Sequence, residues 1–128
     1  MTLDSSALVA VLFAETGYLE LVDRILSAGE VRVGAPTLVE ASLVLTGRRG
    51  ARARGEVEGL IAELGVTVVP FGDAEWRLAV AAFTKFGRGR HPAALNFGDC
   101  LAYATAMSLG DSLLFVGGEF ARTDVPAA

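Results

Sequence analysis

The chain has 128 residues, enough to bury one core, and is read as a single domain over 1–128. Hydrophobic residues at 52% exclude a disordered chain, and no apolar run approaches the roughly 20 residues of a membrane span. One cysteine excludes an internal disulfide, and a net charge of −4 argues against a protein that coats nucleic acid by bulk electrostatics.

In chain order, MTL reads as a minimal strand ending at Asp4. SSALVAVLFAE follows as a helix with Ser5 or Ser6 as its cap. The acid at position 4 and the missing basic leader region speak against a secretory signal, so a cytoplasmic protein is expected. YLELVDRILSAG has apolar residues at helical spacing and stops at Gly29. VRVG is a second strand, and PTLVEASLVLTGRRG a helix with Pro36 in its first turn. EVEGLIAELG is helical, VTVVPF a β-branched strand, and DAEWRLAVAAFTKFG a helix with Asp73 as its expected cap. GRGRHPAALN is a loop whose last residue, Asn96, caps the helix FGDCLAYATAMSL. SLLFV is a fourth strand. The alternation predicts an α/β fold, with a parallel sheet of four to five strands covered by helices on both faces.

Four acids stand at unusual places in this pattern. Asp4 ends the first strand, and Glu40 lies among Leu38, Val39, Ala41 and Leu43. Asp99 opens an apolar helix, and Glu119 follows the fourth strand. Each alone has an ordinary explanation as a cap, a dipole partner or a turn residue. Together they come from four segments that a parallel sheet brings to one edge, outside the carboxyl ends of its strands. Converging carboxylates repel, and a hard divalent cation such as Mg²⁺ or Mn²⁺ relieves that repulsion. Competing chemistries are poorly supplied: there is one His, no phosphate-cradling glycine loop and no G-x-S-x-G elbow.

The basic residues are grouped as well. Seven of the eleven Lys and Arg residues fall in GRRGARARG and KFGRGRH. Solvated helix ends are the plain explanation.

LDSSALVAVLF, APTLVEASLVL, ALNFGDCLAYATA and LLFVGGEFARTDV resemble, in order, the four signature blocks of PIN-domain ribonucleases. More narrowly they resemble the VapC toxins of bacterial toxin–antitoxin pairs. The resemblance runs from Met1 to about Val125, and NFGDCLAYA is its most specific block. It implies a PIN domain and a Mg²⁺-dependent endoribonuclease, with Mn²⁺ able to substitute. Asp4, Asp99 and Glu40 would hold the metal, and Glu40 with Glu119 would position or deprotonate a water. Ser6 would support Asp4, and Asn96 the Asp99 turn. Relatives with this ending usually carry two acids before the Phe, whereas this chain has one, Glu119, with Asp124 as the nearby substitute. The arginines then acquire a role in positioning RNA phosphates, with Arg48, Arg49, Arg88 and Arg90 as the candidates. The partners implied are RNA, a VapB-type antitoxin that places a basic side chain among the acids, and a second copy docked through the early helices. Two alternatives remain: a PIN-like binding module without catalysis, and a receiver-type Mg²⁺-binding regulator. The second wants paired acids after the first strand and a late Lys, and the chain's one Lys, Lys85, is in the wrong segment.

Overall fold

The computed structural model describes residues 1–51 and 53–128, with backbone alone at 53 and 54. Arg52 and the Arg54 side chain, counted in the first basic group, lie outside the described residues. The strands are β1 (Thr2–Leu3), β2 (Arg32–Gly34), β3 (Thr67–Val69) and β4 (Leu113–Leu114). Between them run α1 (Ser5–Leu12), α2 (Tyr18–Ser27), α3 (Ala35–Arg49), α4 (Ala53–Glu63), α5 (Asp73–Phe86) and α6 (Phe97–Leu109). A 3₁₀ turn over Phe120–Arg122 follows β4.

All strands pair in parallel in the order β3-β2-β1-β4, with Thr2 opposite both Arg32 and Leu113. From β1 the chain steps through β2 to β3 by way of α1 to α4, then returns through α5 and α6 to the other side of β1. Right-handed crossovers in opposite directions put the two helix sets on opposite faces. The cores agree. Leu3, Val33 and Leu114 pack with Ala7, Leu8, Leu21 and Ile25 on one face. Leu113 packs with Leu95, Tyr103 and Phe86 on the other. The fold is the expected α/β/α sandwich, with strands of only two or three residues. The reversal of direction between β1 and β4 opens a crevice at their carboxyl ends, where such folds bind ligands.

Local details depart from expectation in physically clear ways. Asp4 itself caps α1, its Oδ2 accepting the Ser6 N–H at 2.9 Å, so Ser5 and Ser6 are the first helical residues and not the cap. The helix ends at Leu12, before a turn in which Ala14 has φ +49°. Asp73 is the first residue of α5, not its cap: the Gly72 N–H donates to Glu75 Oε2 at 2.8 Å and closes the helix start instead. Gly34, which ends β2, faces α6 so closely that a Cβ would stand 2.6 Å from Thr105 Oγ1.

The opposite end of the sheet is closed by charge. Arg32 Nη1 donates to both oxygens of Asp111, at 2.8 and 2.9 Å, and Thr2 Oγ1 donates to Oδ2 at 2.9 Å. The Met1 ammonium stands 3.5 Å from the same carboxylate. Burial alone would raise the pKa of Asp111, but these partners outweigh it and hold the carboxyl below the usual range. The outer edge of β4 is covered by the C-terminal segment: Leu113 N–H donates to Pro126 O at 2.8 Å, and Ala128 N–H to Leu113 O at 2.9 Å.

Candidate active site

Asp4 enters the crevice because β1 ends there, and it is 3% exposed. Its Oδ2 accepts both the backbone N–H of Ser6 and the Ser6 hydroxyl, the latter at 2.5 Å. The Ser6 oxygen in turn accepts the Val116 N–H at 2.9 Å. One hydroxyl therefore ties the first strand's acid to the loop that leaves β4. With Oδ2 so occupied, Oδ1 is buried and has no hydrogen-bond partner among the described residues.

Glu40 comes from the second turn of α3 and reaches the start of α6. A Cβ built at Gly98 would collide with all three terminal atoms of the Glu40 carboxylate. Gly98 was not singled out by sequence reading, because a glycine in a helical first turn signals nothing until its neighbour is known. Glu40 Oε2 is the second buried oxygen without a partner among the described residues. Ser5 stands beside this carboxylate.

Asp99 and Asn96 cap α6 reciprocally. Asn96 Oδ1 accepts the Asp99 N–H at 2.9 Å, and Asp99 Oδ2 accepts the Asn96 N–H at 2.8 Å. The turn fixes Asp99 with one oxygen committed to the cap. Glu119, exposed in the loop before the 3₁₀ turn, lines a cavity with Asp99 and Asn96.

Electrostatics links the four. Burial raises the pKa of Asp4, Glu40 and Asp99. Glu40 raises Asp4 further, Asp99 raises Glu40, and both Asp4 and Glu119 raise Asp99. The Ser5, Ser6 and Asn96 hydrogen bonds and the Arg88 charge act in the lowering direction without reversing the sign. Among the described residues, no three His, Cys, Asp or Glu side chains are drawn together tightly enough to hold an ion as they stand. The donor set nonetheless fits a hard divalent cation: the facing groups are carboxylates, and two of their oxygens, on Asp4 and Glu40, are buried and unpaired.

Asp124 is not part of this group. It accepts the Tyr103 hydroxyl at 2.6 Å and the Lys85 ammonium at 2.7 Å, fastening the C-terminal segment to α5 and α6. The arginines separate. Arg48 and Arg49 lie at the far end of α3, stacked on Phe13 and paired with Glu15 and Glu56. Arg88 lies in the cavity wall beside Asp99, while Arg90 turns toward the Phe83 ring, 5.7 Å away.

The chain matches the family model described as the PIN domain over residues 1–126. Ribonuclease VapC36 of Mycobacterium tuberculosis is 42% identical over 126 residues, covering 98% of this chain and 91% of its own. Ribonuclease VapC28 of the same organism is 38% identical, covering 100% and 97%. Among solved structures, the sarcin-ricin loop cleaving toxin VapC20 of M. tuberculosis superposes with a TM-score of 0.80 at 16% identity, covering 99% and 97%. VapBC2 of Rickettsia felis, bound to a DNA fragment from its promoter, gives 0.78 at 11% identity, covering 99% and 96%.

Proposed function

Because the chain belongs to the PIN-domain family and to the VapC ribonucleases within it, we propose that it is a metal-dependent endoribonuclease, the toxin of a toxin–antitoxin pair. The observation that carries the metal-dependent reading is the convergence of Asp4, Glu40, Asp99 and Glu119 at the β1/β4 crevice, with two buried oxygens unpaired.

Asp4 and Asp99 would hold Mg²⁺, for which Mn²⁺ can substitute, with Glu40 alongside. The cation would supply charge neutralisation and Lewis acidity toward a phosphodiester. The rest falls to the chain. Ser6 holds Asp4 Oδ2 and leaves Oδ1 uncommitted for the cation. Asn96 fixes Asp99 by the reciprocal cap. Glu40, raised by burial and by Asp99, is suited to take a proton from the attacking water. Glu119, which lines the same cavity as Asp99, is assigned to orient that water. Of the four arginines, Arg88 is the one the fold brings to the acids, and it is assigned to substrate phosphate.

The test is cleavage of mixed single-stranded RNA with Mg²⁺, with EDTA and with Asp4→Ala. Cleavage that survives EDTA or Asp4→Ala refutes the reading. Millimolar Mn²⁺ should also raise the melting temperature of the unaltered protein by linkage.

The partners follow from the surface. Val39 and Leu43 of α3, Val80 and Phe83 of α5, and Phe97 of α6 are exposed, and Phe97 stands 80% exposed between two apolar hollows. This face supports a homodimer built on α3 with α5 and α6. An apolar groove between α3 and α4, lined by Leu38, Leu43, Val57 and Ile61, supports docking of a VapB-type antitoxin helix. No helix of the described residues is long and apolar enough to cross a membrane, in keeping with action in the cytoplasm.

A further inference from the structure

Beside the acids lies a cavity of about 300 Å³, at the lower end of the range for ligand pockets. Its lining holds two acids, Asp99 and Glu119, and two arginines, Arg88 and Arg122. Arg122 comes from the 3₁₀ turn, within the block LLFVGGEFARTDV, where the acid Glu119 and not this arginine was singled out. We propose that Arg88 and Arg122 form a subsite for the RNA phosphate adjacent to the scissile one, so that the strand leaves the acids through this cavity. The inference rests on the nuclease reading above and adds the strand's path.

The carboxylates alone would repel RNA, so a strand entering the crevice needs fixed cations close beside it. Arg88 and Arg122 are placed for this by a stiff loop. Gly87 and Leu95 pair as an isolated parallel bridge, and Arg88 N–H donates to Leu95 O at 3.0 Å. His91 Nδ1 accepts the Ala93 N–H at 3.1 Å. Arg122 Nη1 donates to Pro92 O at 3.2 Å, which docks the 3₁₀ turn on the loop and leaves the other guanidinium donors uncommitted. The Arg88 guanidinium has no hydrogen bond or salt bridge among the described residues, although its charge is felt by Asp99. Arg32, Arg48, Arg49 and Arg77 are paired with Asp111, Glu15, Glu56 and Asp73, while Arg24 and Arg90, also without a described ion pair, do not line this cavity. Two guanidinium forks with donors to spare, beside acids that need a polyanion held in register, match phosphate geometry.

The experiment compares the unaltered protein with Arg88→Gln, Arg122→Gln, Arg122→Lys and, as a control, Arg77→Gln. Steady-state cleavage of a labelled single-stranded RNA is measured, with anisotropy of the same RNA in Ca²⁺ over a salt series. Each Gln variant should raise KM about tenfold, the scale of one charge-assisted contact, while kcat stays within about twofold. The slope of log affinity against log salt should fall by about 0.7 for the lost phosphate contact. Arg122→Lys should recover part of the KM, and Arg77→Gln should match the parent. A substrate with a single methylphosphonate at the adjacent position should erase the difference between parent and Gln variants. Unchanged KM and salt slope in variants that still cleave would overturn this inference alone. Loss of antitoxin affinity with unchanged RNA parameters would overturn it in favour of a protein-binding cavity. Failure of the unaltered protein to bind or cleave RNA would overturn both this inference and the nuclease reading.

Discussion

Asp99 combines a cap and a charge, and one substitution separates them. Asp99→Asn keeps an oxygen able to accept the Asn96 N–H and removes the charge that faces Asp4 and Glu119. RNA cleavage in Mg²⁺ should fall by more than the roughly 10–100-fold that loss of an outer-shell partner costs. Parental cleavage would mean that Asp99 is only a cap. The stability effect has the opposite sign. Burial and the neighbouring acids raise this carboxyl, so its ionisation destabilises the metal-free fold as pH rises from about 4 through the folded pKa. The Asn variant should therefore melt above the parent at neutral pH in EDTA, and the gain should vanish on acidification below about pH 4. Gly98 offers a complementary case. Gly98→Ala places a methyl on the Glu40 carboxylate, while alanine favours the helix by about 1 kcal/mol. Calorimetry should show a melting temperature at or above that of the parent, while the cleavage assay loses at least about tenfold. At this scale Asp4, Glu40 and Asp99 were legible because a carboxylate at a strand end or among apolar residues is locally unreasonable. Gly98 and Arg122 were not, because their meaning lies wholly in what they face.

The elements tell a similar story at greater spacing. Periodicity located all six helices, and turn chemistry located Asn96 as the α6 cap. The caps of α1 and α5 were misplaced by a residue or two, because Asp, Ser and Gly in succession compete for one position. Strand lengths were overestimated: VTVVPF reads as six residues of strand, whereas β3 spans only Thr67–Val69 at the edge of the sheet, with Val68 exposed. Another tight junction between elements, Gly34 of β2 against Thr105 of α6, was invisible in the sequence. Gly34→Ala should destabilise the fold by about 1–3 kcal/mol through overpacking between β2 and α6. Denaturant unfolding of the Gly34→Ala, Thr105→Ala double variant should recover part of that loss. Strict additivity would show that the two residues do not meet.

For the whole molecule, two opposite ends of one sheet behave oppositely with pH. The crevice acids are raised, whereas Asp111 at the other end is held low by Arg32, Thr2 and the Met1 ammonium. A lowered carboxyl contributes stability that is present above its unfolded pKa of about 4 and is lost as pH falls through the folded value. Asp111→Asn should thus lower the neutral-pH melting temperature by several degrees and matter little near pH 2, as a pH series of thermal melts will show.

The strand order has a further effect, in time. β1 is the first strand to be synthesised, yet it lies inside the sheet and pairs Thr2 with Leu113 on one side. The Val116 N–H can therefore join the Ser6 hydroxyl that holds Asp4 only once β4 has been made. Contacts of such sequence separation form late and slowly. Until β4 pairs with β1, Ser6 lacks the Val116 N–H, so the support of the buried acid is completed among the last steps of folding.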